Sequence, residues 1–338
     1  MSLYAIRSVG AITPVGEDAA ATVGSIYTEA QELSDLPLAD ESGLPVKGAK
    51  TPIPDNVSGI ERLAVLGSCA LGEAIDGAPA NVQMGLVVCA PLPEDEPGLL
   101  GQSDALLARL AREARLTVAP QARRVFPAGR SAVFEALHFA RSVLHSGLSF
   151  VCVLGIDCLV SKARLGRLLD QGYVLGPQGL IPGEAAAAIV LGRQSGPDSL
   201  AVLAGMGTAD EPSTSQRDQP NRGRGLASAI DKALAEARLA NPVFSALVHD
   251  MAGSREGLEE LNWAKTCQAL SARSETEILC PYNSVGETGA ASGILSLATL
   301  AFLIDKNAIA GPGLCLLASE GGKRGAAILT PPPRTAKK

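Results

Sequence analysis

The stretch RVFPAGRSAVFEALHFARSVLHSGLSFVCVLG, residues 124–155, decides the fold class. Arg124–Phe126 reads as a short strand, and Pro127–Arg130 breaks it, because proline lacks a ladder donor and glycine frees the backbone. Ser131–His145 reads as a helix, with Val133, Leu137, Ala140 and Leu144 at helical spacing. Gly147 ends it, and the uninterrupted apolar run Phe150–Gly155 predicts a strand covered on both faces. Strand, helix and buried strand in succession make an α/β unit.

The same alternation extends both ways. Towards the N-terminus, Tyr4–Val9 predicts a strand, Asp18–Glu32 a helix and Ser34–Val57 an irregular loop rich in Pro, Gly and Asp. Ile60–Ile75 has helical spacing with Leu63, Leu66, Cys69 and Ala70 on one face. Gly85–Ala90 predicts a buried strand, Pro91–Leu100 a loop and Ser103–Leu116 a helix. Towards the C-terminus come helix Leu159–Asp170, strand Ala185–Leu191 and a strand at Leu200–Leu203. A boundary near Arg193 divides the chain into halves at 1–193 and 194–330, with a disordered tail at 331–338. The second half repeats the plan: helix Leu226–Leu239, strand Ala246–His249, helix Glu256–Leu270, strand Glu277–Cys280, helix Ala291–Ile304, then strands Leu314–Ala318 and Gly325–Leu329. Strand and helix order alone supports α/β and does not choose among α/β folds.

Composition narrows the function classes. Of 338 residues 46% are hydrophobic, enough for a sizeable core, and the net charge is −6. An acidic chain is poorly suited to nucleic acid or an anionic membrane surface, which require a basic face. Arg123-Arg124 and the pair Arg222 and Arg224 are small exceptions expected in solvated loops. The seven cysteines form no CxxC pair, and several lie inside apolar runs, as expected of free thiols in a reducing cytoplasm. Three histidines without paired spacing predict no metal site, and no cofactor motif is present. MSLYAIRSVG has no basic region followed by a long apolar stretch, so no secretory signal is expected, and no apolar run has membrane-spanning length.

Five segments in order resemble β-ketoacyl synthases of the thiolase superfamily. Gly10–Gly16 is similar to that family's G-x-V-T-P-x-G turn, and Gly155–Ser161 to the strand after its nucleophile helix. Gly179–Ala187 is close to G-F-x-P-G-E-G-A-A. Asn283–Gly293 resembles K-x-x-x-G-H-x-x-G-A-A-G, and Gly321–Gly325 is a weaker echo of the C-terminal glycine loop. The resemblance implies the thiolase fold, two similar halves in a five-layer α-β-α-β-α sandwich, and a dimer formed through that fold's interface.

In that family a cysteine at a helix N-terminus attacks an acyl thioester, with the helix dipole favouring the thiolate. Two histidines then assist decarboxylation. The A-L-H-x-A match at Ala136–Ala140 fixes the register, so the resemblance puts Gly129 at the cysteine position. Glycine offers no nucleophile, and covalent acyl transfer there is excluded. His249 takes the first histidine position, Glu287 the second, and Tyr282 that of a lysine. An ionised glutamate repels the enolate an imidazole N–H would stabilise. Ser131, in the first helical turn, reads as a capping residue rather than a nucleophile. His249 and Asp250, as strand neighbours, point to opposite faces, whereas His249 with Glu287 is expected to form an acid–base couple or a vestigial hydrogen bond. His138 is expected in the core and His145 at a helix C-terminus.

These substitutions favour a degenerate ketosynthase-like protein acting as a non-enzymatic partner or adaptor. The expected partners are a synthase, a carrier protein or a secreted effector, through a homodimer- or heterodimer-type interface. A chain shorter than the family, with the loss between Cys89 and Arg124, weighs against a chain-length factor and for an adaptor. The alternatives are a decarboxylase or hydrolase using His249 and Glu287, and a non-turnover binder of acyl thioesters or carrier proteins through Arg123, Arg124 and Arg130.

Overall fold

The computed structural model describes residues 4–39, 43–174, 179–193, 196, 198–212, 221–240, 242–251, 255–267 and 276–333. The first half runs β1 (Tyr4–Ile12), α1 (Ala19–Tyr27), β2 (Ser34–Ala39), β3 (Pro45–Gly48), α2 (Gly59–Asp76), β4 (Met84–Ala90), α3 (Leu99–Glu113), β5 (Val118–Pro127), α4 (Ala132–His145), β6 (Phe150–Cys158), α5 (Lys162–Asp170) and β7 (Glu184–Gly192). The second runs β8 (Ala201–Asp210), α6 (Arg224–Ala237), β9 (Ala246–His249), α7 (Arg255–Cys267), β10 (Glu277–Leu279), α8 (Tyr282–Val285), α9 (Ser292–Asp305), β11 (Gly313–Ala318) and β12 (Lys323–Thr330).

The halves share one strand topology. The order β1-β7-β6-β4-β5 in the first is matched by β8-β12-β11-β9-β10 in the second. In each, the strand last in sequence lies antiparallel between the first strand and a parallel trio. The two five-stranded sheets join where β1 pairs antiparallel with β8, through Tyr4–Leu203, Ala5–Val202 and Ile6–Ala201.

Strand alternation sorts the side chains into layers. On β4, Leu86 and Val88 pack outward with Leu63 and Leu66 of α2 and Leu110 of α3, while Val87 and Cys89 pack inward with α4 and α9. On β11, Leu314 and Leu316 face Leu226, Ile230 and Leu261 of α6 and α7, while Cys315 and Leu317 face the central helices. Helices, sheet, central helices, sheet and helices make the five layers of the thiolase fold. Because both faces of each sheet are covered, the inner strands read as continuous apolar runs.

Four expectations are corrected. Ser34–Ala39 and Pro45–Gly48 pair antiparallel as β2 and β3 instead of lying in an irregular loop, because Leu36 and Val46 are buried against Leu165 and Val174, and Pro37 is tolerated in so short a two-stranded ribbon. Helix α1 ends at Tyr27 rather than Glu32, since Ile26 is its last buried residue and Glu29 adopts φ +53°. Cys69 is exposed, off the face that buries Leu63, Leu66 and Ala70. β5 starts at Val118 rather than Arg124, paired with Met84 and then, past an irregularity, with Leu86. The tail beyond residue 333 lies outside the described residues.

Candidate functional site

The site lies where the central helices α4 and α9 begin. Each is entered through a 3-10 turn, Gly129–Ser131 before α4 and Gly289–Ala291 before α9, and each turn opens on a glycine in the left-handed region, φ +56° and φ +48°. The two turns are equivalent in the repeated topology and pack against each other. At the first, Ser131 donates its hydroxyl to the Ala128 carbonyl at 2.8 Å and caps no helical N–H.

Between the two turns sits Arg130. Its Nη1 donates to Glu287 Oε2 at 2.8 Å, and its Nη2 lies 3.2 Å from Asp250 Oδ1 while also donating to the Asp250 carbonyl. The arginine side chain is only 12% exposed and those of its two partners 5% or less, so the charges meet out of water. Burial works against the guanidinium's charge, but Asp250 and Glu287 outweigh it and hold Arg130 protonated. Glu287 spends its other oxygen on the Gly289 N–H at 2.8 Å. Burial pushes its carboxyl upward, and the Arg130 charge opposes that. Asp250 accepts from the Ala318 N–H at 2.8 Å and from the Ser292 hydroxyl at 3.3 Å. All four carboxylate oxygens therefore have donors.

Beneath the second turn, Asp157 at the end of β6 accepts from the Ala290 N–H and from its neighbour Cys158, each at 2.8 Å. Burial raises its carboxyl to about 7, against the pull of those two N–H groups. A Cβ on Gly289 would lie 2.0 Å from Asp157 Oδ2, so the glycine is required twice, by φ and by this contact. The three atoms nearest a Cβ on Gly129 would all belong to the Leu92 side chain, its Cγ at 3.3 Å.

The expected couple of His249 and Glu287 is not formed. His249 shares strand parity with Leu247, which packs against α6 and α7, while Val248 faces the central layer. Its ring accepts from the Met251 N–H at 3.4 Å, and burial lowers its pKa to about 4, the nearby Asp250 working in the other direction. No hydrogen bond or ion pair joins it to Glu287 among the described residues. Asp250, one residue on, enters the site instead. Tyr282 also turns elsewhere: its hydroxyl accepts from the Ile181 N–H at 3.0 Å and ties α8 to the segment before β7.

The Pro-Gly-Glu segment has a structural task. Glu184 is fully buried and accepts from Arg62 Nε and Nη2 at 2.6 Å each, from the Thr51 N–H and hydroxyl at 2.9 and 2.7 Å, and from the Cys158 thiol at 3.0 Å. Burial alone would raise its pKa, but these donors, Arg62 foremost, hold it below the usual range. Arg62 donates onward to the carbonyls of Ile53, Pro54 and Val57 and so fixes the loop ahead of α2.

The remaining candidates are dispersed. His138 is exposed on α4 rather than in the core, and His145 is exposed at the helix end. Arg123 and Arg124 are exposed as well, Arg123 paired with Asp104 at 3.4 Å and Arg124 lying 5.0 Å over Phe126 and 5.6 Å over Phe139. Arg130, expected beside them at a pocket mouth, is occupied inside. No cluster of three metal-binding side chains occurs among the described residues, and no described helix is long and apolar enough to cross a membrane. Sequence reading missed Asp157, Leu92 and the part played by Asp250. Strand parity counted from Val248 would have directed Asp250 inward.

No protein-family model matches the chain, and no curated protein matches it. Solved structures do. A ketosynthase from module 6 of the bacillaene synthase of Bacillus subtilis 168 is similar at a TM-score of 0.76 and 13% identity, over 98% of this chain and 72% of that one. A type II PKS acyl-carrier protein in complex with its ketosynthase, bound to the hexaketide, gives 0.78 and 13% over 97% and 99%. A ketosynthase in complex with its chain length factor, from Xenorhabdus doucetiae, gives 0.73 and 16% over 97% and 98%. The chain shares the thiolase fold with these ketosynthases.

Proposed function

We propose that this chain is a non-condensing partner of the ketosynthase type, using the thiolase fold for its surfaces. The observation that carries the reading is the Arg130 clamp. Where the resemblance places a cysteine there is Gly129, and the space between the two helix starts holds an Arg130–Asp250–Glu287 network, one guanidinium shared by two carboxyl groups. Its carboxylate oxygens are all engaged and its guanidinium is paired through Nη1 and Nη2, so it offers no nucleophile to a thioester.

The surface reading draws on β5 and α4. β5 is an edge strand, and α4 keeps Glu135, His138, Ser142 and His145 exposed although it belongs to the central layer. Its equivalent α9 buries everything except Phe302 and Asp305. A central-layer helix with an open face beside an open sheet edge suits a second thiolase-fold subunit, either a copy of this chain or a synthase. Mutual coverage of 97% of this chain and 98–99% of chains from ketosynthase complexes supports a chain-length-factor type of role as well. A reaction through His249 and Glu287 loses support because the two are not joined, and carrier capture loses Arg130.

The test has two arms. Incubation with malonyl- and acyl-thioesters is expected to release no carbon dioxide and leave the intact mass unchanged. Native mass spectrometry is expected to show a dimer, alone or with a co-expressed synthase, that Arg124→Glu and His138→Glu weaken. Turnover abolished by Glu287→Gln would overturn the reading.

A further inference from the structure

The connection between β4 and α3 lies over the first glycine turn. Leu92, in that connection, is the side chain a Cβ at position 129 would meet, with Cγ at 3.3 Å and Cδ1 at 3.7 Å. The Leu92 carbonyl accepts from the Asp95 N–H at 2.9 Å and the Glu96 N–H at 3.1 Å, so Leu92 and Asp95 belong to one wound turn and move together. The Asp95 carboxylate in turn pairs with Arg164 and, at 3.2 Å, with Arg167, both on α5. Asp95 is 15% exposed and Arg164 13%, which separates this pair from a solvated surface bridge.

The anchor is separate from the core. Leu165 is the one fully buried residue of α5, and it packs with the β2–β3 hairpin in a small cluster of its own. Arg164 also feels the charges of Glu287 and Glu320, which oppose the effect of its burial and of Arg167; its pKa falls to about 10.

We propose that residues 91–98 form a latched plug: Leu92 closes the space above Gly129, and Asp95, bound to Arg164 and Arg167, holds it closed. Releasing Asp95 lifts the turn and uncovers the start of α4. Such a device needs one bistable segment and a local contact that biases it. The plug is independent of whether the chain has a partner.

Hydrogen exchange on the full chain tests it, since local opening is read directly as lost amide protection. In Asp95→Asn, amides of 91–98 and of 128–131 are expected to exchange roughly 10-fold faster or more, with β4 and α9 unchanged. Arg167→Gln, at a partly exposed side chain, is the gentler variant and is expected to give a smaller rise in the same two segments. Leu92→Ala, with the latch intact, is expected to speed exchange at 128–131 alone. Faster exchange at 91–98 with no change at 128–131 would overturn the proposal, as would no change in either segment.

Discussion

The turns at Gly129 and Gly289 hold equivalent places in the two halves and answer to different demands. At Gly289 a Cβ would collide with Asp157 Oδ2 at 2.0 Å, whereas at Gly129 it would find Leu92 at 3.3 Å, a contact a flexible side chain can relieve. Both glycines have positive φ, which costs another residue about 1 kcal/mol. Packing therefore demands glycine in the second half, while in the first the backbone prefers it and the surroundings leave room for more. The absent side chain at 129 is not forced by the fold. The two turns are also tied to each other, because Arg130 follows the first glycine and Glu287 precedes the second.

Severing that tie has the largest expected effect. Arg130→Ala leaves Asp250 and Glu287 buried without their cation, a loss of about 3–5 kcal/mol in urea unfolding at neutral pH. The loss shrinks at pH 5, because burial already favours protonated Glu287. Equal loss at both pH values would mean the clamp is not ionic. Next comes Gly289→Ala, with steric overlap and an unfavourable φ together costing about 3 kcal/mol. If it proves as mild as the same change at 129, the contrast between the turns fails.

The pH dependence of stability tests the acid beneath the second turn. A folded pKa of about 7 for Asp157, above the ordinary carboxylate range, means the folded protein holds a proton that the unfolded chain has released. Stability from this group is full below about pH 4 and falls through about pH 7, by about 2 kcal/mol between pH 5 and pH 7.5. Asp157→Asn is expected to flatten that slope in unfolding series across pH. The smallest effect is expected at Gly129→Ala, about 1 kcal/mol from φ, with Leu92 giving way. A cost above 3 kcal/mol would show that the first turn is as tightly determined as the second.

Much of the fold was legible in the chain. The runs Gly85–Ala90, Phe150–Gly155 and Ala185–Leu191 identified themselves as doubly covered strands, and Ser131–His145 as a helix, observed from Ala132, since burial on both faces or one leaves a period in the residues. The β2–β3 hairpin was not legible, because Pro37, Gly43 and Pro45 mask a pairing whose stability rests on Leu165 and Val174, more than a hundred residues away. At the site, the glycine at 129 and the glutamate at 287 were readable as residue types. Their partners were not: Arg130 meets Asp250 and Glu287 across 120 and 157 positions, and no local pattern encodes such a meeting.

By itself the sequence determined the alternation of buried strands and helices, through hydrophobic periodicity, and the absence of a sulfur at 129, through identity alone. The tertiary structure decided what took its place. Adjacent strand residues point to opposite faces, so one step of register turns His249 toward the outer helices and brings Asp250 to Arg130. That choice depends on which face of β9 the central helices cover, which is settled only when both halves pack.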